Sequence, residues 1–221
     1  MVFDLSLFES KPVLGIIRGI NEDSVNGVVE ASIAGGLHYL EITLNTPNSF
    51  HLIKRIKSKY SQIQIGAGTV LTLDEAKKAT DSGAQFIVAP NFEDEIAAFC
   101  VENKIAYFPG ALTPTEIQKA WSLGATMVKV FPASQMGPDY FKIIKGPFDN
   151  IKLMAVGGVN PENIKDYLGA GADAVALGGS IFSVQRMKNQ SLKEIQKDIE
   201  EFMFAVHSFY SKIPNQGLTN R

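Results

Sequence analysis

A chain of 221 residues with a formal net charge of −2 and no long basic block is poorly suited to nucleic acid or an anionic membrane surface. Its 45% apolar and 20% charged residues are the balance of an ordinary globular protein, long enough to bury a sizeable core. The single cysteine, Cys100, excludes an intramolecular disulfide and points to a reducing cytoplasm. No run of about 18 apolar residues is present to span a bilayer, and "MVFDLSLFES" lacks the pattern of a secretion signal.

An amphipathic segment at 2–10 leads into the first of eight short apolar, β-branched runs. In chain order these are "VLGIIRG" (13–19), "YLEITLN" (39–45), "QIGAGTV" (64–70), "FIVAPN" (86–91), "AYFPGAL" (106–112), "MVKVFPA" (127–133), "LMAVGGV" (153–159) and "AVALGGS" (174–180). They start about every 20–26 residues, the length of one strand–helix unit. Helix starts between them carry capping signals: Thr72 with Glu75, Thr113 with Pro114 and Glu116, and Asn160 with Pro161. Several helices close on glycine, at "IAGG" (33–36), "DSG" (81–83), "SLG" (122–124) and "GAG" (169–171).

Eight such units predict a (β/α)₈ TIM barrel forming a single domain over 1–221, its core at about 12–182 and a helix and polar tail after it. An open doubly wound sheet is the alternative, but "IIRGINED" is not the Gly-rich turn that would follow its first strand. No linker divides the chain. The terminal "KIPNQGLTNR" is expected to fray.

Period-two alternation then assigns side chains to faces. In "YLEITLN", Leu40, Ile42 and Leu44 suit packing under helices, which turns Glu41, Thr43 and Asn45 inward. In "MVKVFPA" the same logic turns Met127, Lys129 and Phe131 inward, and Arg18 shares the face of Ile16 at the end of the first strand. With Thr69 at the end of the third, these residues gather at the C-terminal barrel mouth, where (β/α)₈ active sites lie. A buried structural ion pair of Lys129 and Glu41 is one reading. The other is chemical: burial lowers a lysine's pKa and leaves an amine able to attack a ketone, with a carboxyl nearby to move protons. Glu41 would also favour the charged amine, so burial and charge oppose each other, and the sequence leaves their balance open.

The turns "AVGGVNPEN" and "ALGGS", after strands seven and eight, form a second constellation. Gly157, Gly158, Gly179 and Ser180 can offer backbone N–H groups to a phosphate there, or simply make tight turns. His38, His51 and His207 form no ligand pattern, and no metal site is expected. Cys100 and Trp121 read as packed residues on helices.

From about Pro12 to Phe182 the chain resembles the class I aldolases acting on 2-keto-3-deoxy-6-phospho sugar acids. These are the 2-keto-3-deoxy-6-phosphogluconate (KDPG) and 4-hydroxy-2-oxoglutarate aldolases with their 6-phosphogalactonate branch. The resemblance is carried by "GGLHYLEITLNTP", "IGAGTVL", "FIVAPN", "FPGALTPTE", "VKVFPAS", "KGPF", "AVGGVNPEN" and "LGGS" in that order. It implies that Lys129 is the Schiff-base lysine and Glu41 the general acid/base. Thr69, Pro90 and Phe131 would line the pyruvyl pocket, and Gly157, Gly158, Gly179 and Ser180 the phosphate site. It further implies release of pyruvate and glyceraldehyde 3-phosphate, no metal or organic cofactor, and a homotrimer.

One departure stands out: Asn45 occupies the position where many KDPG aldolases carry a carboxylate-binding arginine. "LNTP", "IIRGI" and "AVGGVNPEN" are closer to the phosphogalactonate branch, and "KGPF" to the phosphogluconate type. Arg18 is the expected substitute for the carboxylate contact. A sugar-phosphate isomerase or epimerase, or a silent phosphate-binding barrel, are the competing readings.

Overall fold

The computed structural model describes residues 3–211, so the polar tail at 212–221 lies outside the described residues. A short helix α1 (Leu5–Ser10) precedes strands and helices that alternate along the chain. They are β1 (Val13–Ile17), α2 (Glu22–Ala34), β2 (Tyr39–Thr43), α3 (Ser49–Lys59), β3 (Gln64–Gly68), α4 (Leu73–Asp81), β4 (Phe86–Val88) and α5 (Asp94–Glu102). Then follow β5 (Ala106–Phe108), β6 (Gly110–Ala111), α6 (Pro114–Ser122), β7 (Val128–Val130), α7 (Ala133–Met136) and α8 (Pro138–Lys145). The series ends with β8 (Leu153–Ala155), α9 (Ile164–Gly169), β9 (Ala174–Leu177), α10 (Val184–Lys188) and α11 (Leu192–Tyr210).

All pairings are parallel, in the order β5-β4-β3-β2-β1-β9-β8-β7-β6. The eight expected runs yield nine ladder segments because Pro109 splits the fifth. A proline has no N–H to give a ladder. Its two halves face different neighbours: β5 pairs with β4, and β6 with β7. The Lys129 N–H donates to the Pro109 carbonyl at 2.8 Å, tying β7 to the split run and closing the barrel.

The strands are shorter than their apolar runs. Apart from Pro109, which splits the fifth run, and Met127, which precedes β7, the lost residues lie at the C-terminal ends, where they form the loops of the mouth. Outward-facing Val13, Ile17, Leu40, Ile42, Val128, Val130, Val175 and Leu177 pack beneath the helices in one continuous core. Inward-facing Leu14, Tyr39, Phe86, Phe108, Met127 and Met154 fill the lumen, and Phe3 and Phe8 plug its lower end. The plug is aromatic: Phe8 meets Tyr39 edge-on at 4.9 Å, and Phe3 meets Phe86 and Phe108 at 5.4 and 5.5 Å.

Two of the expected capping boxes form, at Thr72 with Glu75 and at Thr113 with Glu116. The third start shifts. Asn160 Oδ1 accepts from the N–H groups of Glu162 and Asn163, stabilising a turn, and α9 begins only at Ile164. Asx residues offer this local alternative to a helix cap. Cys100 is buried on α5, and Trp121 is half-buried against the outer core.

Candidate active site

Lys129 sits at the centre of β7 and Glu41 at the centre of β2, both pointing into the upper lumen above the apolar plug. Their exposures are 6% and 1%. Space for the carboxylate is made by β3: a Cβ at Gly68 would stand 2.2 Å from Glu41 Oε1. Neither residue joins an ion pair among the described residues, and Glu41 Oε2 is buried with no hydrogen-bond partner.

This arrangement resolves the opposition left open by the sequence. Burial pushes the Glu41 carboxyl up to about 7, against the pull of Lys129 and Arg18. Burial likewise lowers the Lys129 amine, with Arg18 adding to the effect and Glu41 opposing it. Desolvation therefore outweighs attraction at both groups and shifts each toward its neutral form.

Arg18 follows β1 and is exposed at the mouth, where its Nη2 donates to Thr69 Oγ1 at 3.4 Å. Thr69 holds the left-handed backbone region at φ +56°, uncommon for a residue with a side chain. Phe131 is 39% exposed rather than buried in the lumen, and its ring centroid lies 5.1 Å from Lys129 Nζ. A cavity of about 480 Å³ opens beside it, lined by Arg18, Phe131, Gly157, Gly158, Gly179 and Ser180. None of the backbone N–H groups of those last four residues donates a hydrogen bond among the described residues, so all four are free for an anion. Gly157 and Gly158 adopt φ of +95° and +80°, a backbone that L side chains rarely reach.

Five expected residues do not line this cavity: Lys129, Glu41, Thr69, Pro90 and Asn45. Pro90 lines a smaller one of about 300 Å³ on the other side of Phe131. Asn45 does not turn inward with Glu41: β2 ends at Thr43, alternation stops there, and Asn45 is exposed in the following turn. Thr43, expected to face inward, and Thr46, which sequence reasoning passed over, organise this turn instead. Thr46 Oγ1 accepts from the Gly19 N–H at 2.9 Å and lies 3.1 Å from Thr43 Oγ1, joining the loop of Arg18 to the strand of Glu41. "TLNT" contains both threonines, but only the pairing of β1 with β2 brings them to Gly19.

Among the described residues no group of side chains could hold a metal ion. Of the histidines, His38 contacts Lys11 at 2.8 Å, outside the mouth, while His51 and His207 are exposed on α3 and α11. What remains is a desolvated amine, a desolvated carboxyl, a guanidinium beside a hydroxyl, and a cavity walled by free backbone N–H groups. That set can attack a carbonyl, move a proton, and hold an anion at each end of a short substrate.

Comparison with known proteins agrees with this geometry. The family model described as KDPG and KHG aldolase matches residues 6–198. The 2-dehydro-3-deoxy-6-phosphogalactonate aldolase of Escherichia coli (strain K12) is 36% identical over 186 residues, covering 81% of this chain and 91% of its own. A native KDPGal structure superposes with a TM-score of 0.87 at 32% identity, covering 96% of this chain and all (100%) of its own. The KDPG aldolase of Legionella pneumophila, with pyruvate captured at low pH as a covalent carbinolamine intermediate, gives 0.83 at 28% identity, over 89% of this chain and 96% of its own. With its barrel, its lysine–glutamate pair and these matches in hand, the chain belongs to the KDPG and KHG aldolase family of class I aldolases.

Proposed function

We propose that the chain cleaves 2-keto-3-deoxy-6-phosphogluconate to pyruvate and glyceraldehyde 3-phosphate through a Schiff base on Lys129. The observation that carries the reading is the buried Lys129 amine, lowered in pKa, beside the equally buried Glu41. The neutral Nζ attacks C2 of the keto acid to form a carbinolamine. Glu41 gives a proton to the departing hydroxyl, and water leaves to form a cationic imine. The Glu41 carboxylate then takes the proton of the C4 hydroxyl as the C3–C4 bond breaks. Its electron pair passes to the imine, and the aldehyde departs from an enamine. Protonation at C3 and hydrolysis return pyruvate and the free amine.

In this reading Arg18 and Thr69 hold the substrate carboxylate, and Phe131 and Pro90 wall the pyruvyl end. The N–H groups of Gly157, Gly158, Gly179 and Ser180 hold the phosphate. Asn45 stands exposed and lines neither cavity. The test is to incubate the protein with pyruvate, reduce with borohydride and map the adduct by peptide mass. A stable adduct on Lys129 is expected. A folded protein that binds phosphate esters yet gives no adduct would overturn the mechanism in favour of an isomerase or a silent barrel.

The C4 epimer, 2-keto-3-deoxy-6-phosphogalactonate, is a second reading, favoured by the Escherichia coli relative and by Asn45 in place of an arginine. Assaying pyruvate release from both epimers separates the two. The reading also takes the chain as one domain working as a homotrimer in the cytoplasm. No helix among the described residues is long and apolar enough to cross a membrane. A monomer mass by light scattering at assay concentrations would remove the trimer.

A further inference from the structure

The two glycine turns that wall the 480 Å³ cavity are each gripped from behind by a side chain that does not line it. Behind the first turn, Asn163 Nδ2 donates to the Gly158 carbonyl at 2.9 Å, while its Oδ1 accepts from the Asn160 N–H at 2.9 Å. Asn160 returns the contact: its Oδ1 accepts from the Asn163 N–H at 3.0 Å and the Glu162 N–H at 3.1 Å. The Asn160–Asn163 pair thus closes a ring that ends on the glycine peptide.

Behind the second turn, Arg186 Nη1 donates to the carbonyls of Ser180 and Ile181, each at 3.3 Å. Asp198 on α11 accepts from the same Nη1 at 2.7 Å and anchors the guanidinium. In both places the side chain engages carbonyl oxygens of the turn. Among the described residues, the N–H groups of Gly157, Gly158, Gly179 and Ser180 are left without a partner.

We propose that Asn163 and Arg186 are positioning residues of the phosphate site, holding the two glycine turns with their N–H groups turned into the cavity before substrate arrives. The physical ground is preorganisation. Glycine turns have more backbone freedom than any other sequence, and an anion that must order them binds more weakly than one that finds them ordered. A glycine pair cannot supply that order itself, so side chains outside the cavity do so. The proposal rests on the phosphate reading above and goes beyond it in naming residues that touch no substrate.

The experiment compares KM and kcat on 2-keto-3-deoxy-6-phosphogluconate and on unphosphorylated 4-hydroxy-2-oxoglutarate. The proteins are the parent and the variants Asn163→Ala, Asn163→Asp and Arg186→Lys, with inorganic phosphate as a competitive probe. The aspartate keeps the acceptor toward the Asn160 N–H but loses the donor to Gly158, so it isolates the grip on the turn. Borohydride trapping of pyruvate reports that each variant is folded and its lysine reactive.

We expect KM for the phosphorylated substrate and the inhibition constant of phosphate to rise about tenfold in each variant. KM for the unphosphorylated substrate should move far less, since a loosened turn weakens only phosphate binding. Variants that trap pyruvate normally but keep the parent's KM for the phosphorylated substrate would overturn the proposal while leaving the phosphate reading intact. Equal losses on both substrates would also overturn it, reducing the two residues to general stability. A parent that treats the two substrates alike and is not inhibited by phosphate would overturn the phosphate reading, and the proposal with it.

Discussion

At the scale of single residues, Glu41 carries the clearest consequence. Its carboxyl is pushed by burial from the ordinary 4.5 up to about 7. Below the lower value the carboxyl is protonated in both folded and unfolded chains. As pH rises from about 4.5 to 7 the unfolded chain loses the proton first, so the folded state loses stability across that window. Above it the loss is constant. Glu41→Gln removes this dependence: relative to the parent, the variant should gain about 3 kcal/mol between pH 4 and pH 8, read from chemical denaturation at each pH. The same variant should lose about 10²–10⁴-fold in kcat, because in the proposed reaction no group would remain to move the C4 proton. A variant whose relative stability is flat with pH would show that Glu41 is ionised and solvated in the folded protein. The gain in stability and the loss of activity have one origin, the desolvation that keeps the pair reactive.

At the scale of elements, β3 matters as much for what it lacks as for what it holds. "GAG" places Gly66 under the Phe86 ring, with 2.3 Å available to a Cβ, and Gly68 against the Glu41 carboxylate. Gly68→Ala should push the carboxylate aside. We expect about a hundredfold fall in kcat, as a displacement of this kind costs an active site, with a stability loss of about 1–3 kcal/mol. An alanine variant with the parent's kcat would mean that Glu41 tolerates a different rotamer. The glycines of β3 were visible in "IGAGTVL", but their purpose was not. Which side chain a missing Cβ makes room for depends on register, here Glu41 opposite Gly66 and Thr43 opposite Gly68.

At the scale of the molecule, the lumen is graded. Aromatic rings close the lower end, and charge and glycine occupy the upper end. The plug is made by a segment outside the strand–helix repeat: Phe3 precedes α1 and Phe8 lies on it. It keeps water from the floor beneath Lys129 and so helps maintain the desolvation that lowers the amine. Phe8→Ala, emptying a site now 1% exposed, should destabilise the protein by about 3–5 kcal/mol in urea titration. A loss under about 1 kcal/mol would show that the plug is dispensable to the barrel. The sequence marked 2–10 as an amphipathic lead-in but did not reveal that it caps the lumen, because nothing local tells a helix which end of a barrel it will cover.

The barrel itself, the inward direction of Glu41 and Lys129, and the glycine turns after the last two strands were all legible in the chain. Each follows from a local rule: strand length and spacing, period-two alternation, and the turn preference of glycine. Alternation also misled where a strand ended early, leaving Asn45 in solvent and Phe131 at the rim. Other features depend on contacts between residues far apart in sequence. They include the balance between burial and charge at the reactive pair, the split of the fifth run at Pro109, and the grips of Asn163 and Arg186 on the turns. Sequence by itself determined which residues face the same way. Tertiary structure decided how much water each one keeps and which carbonyls are held, because desolvation and hydrogen bonding belong to the packed environment rather than to the residue.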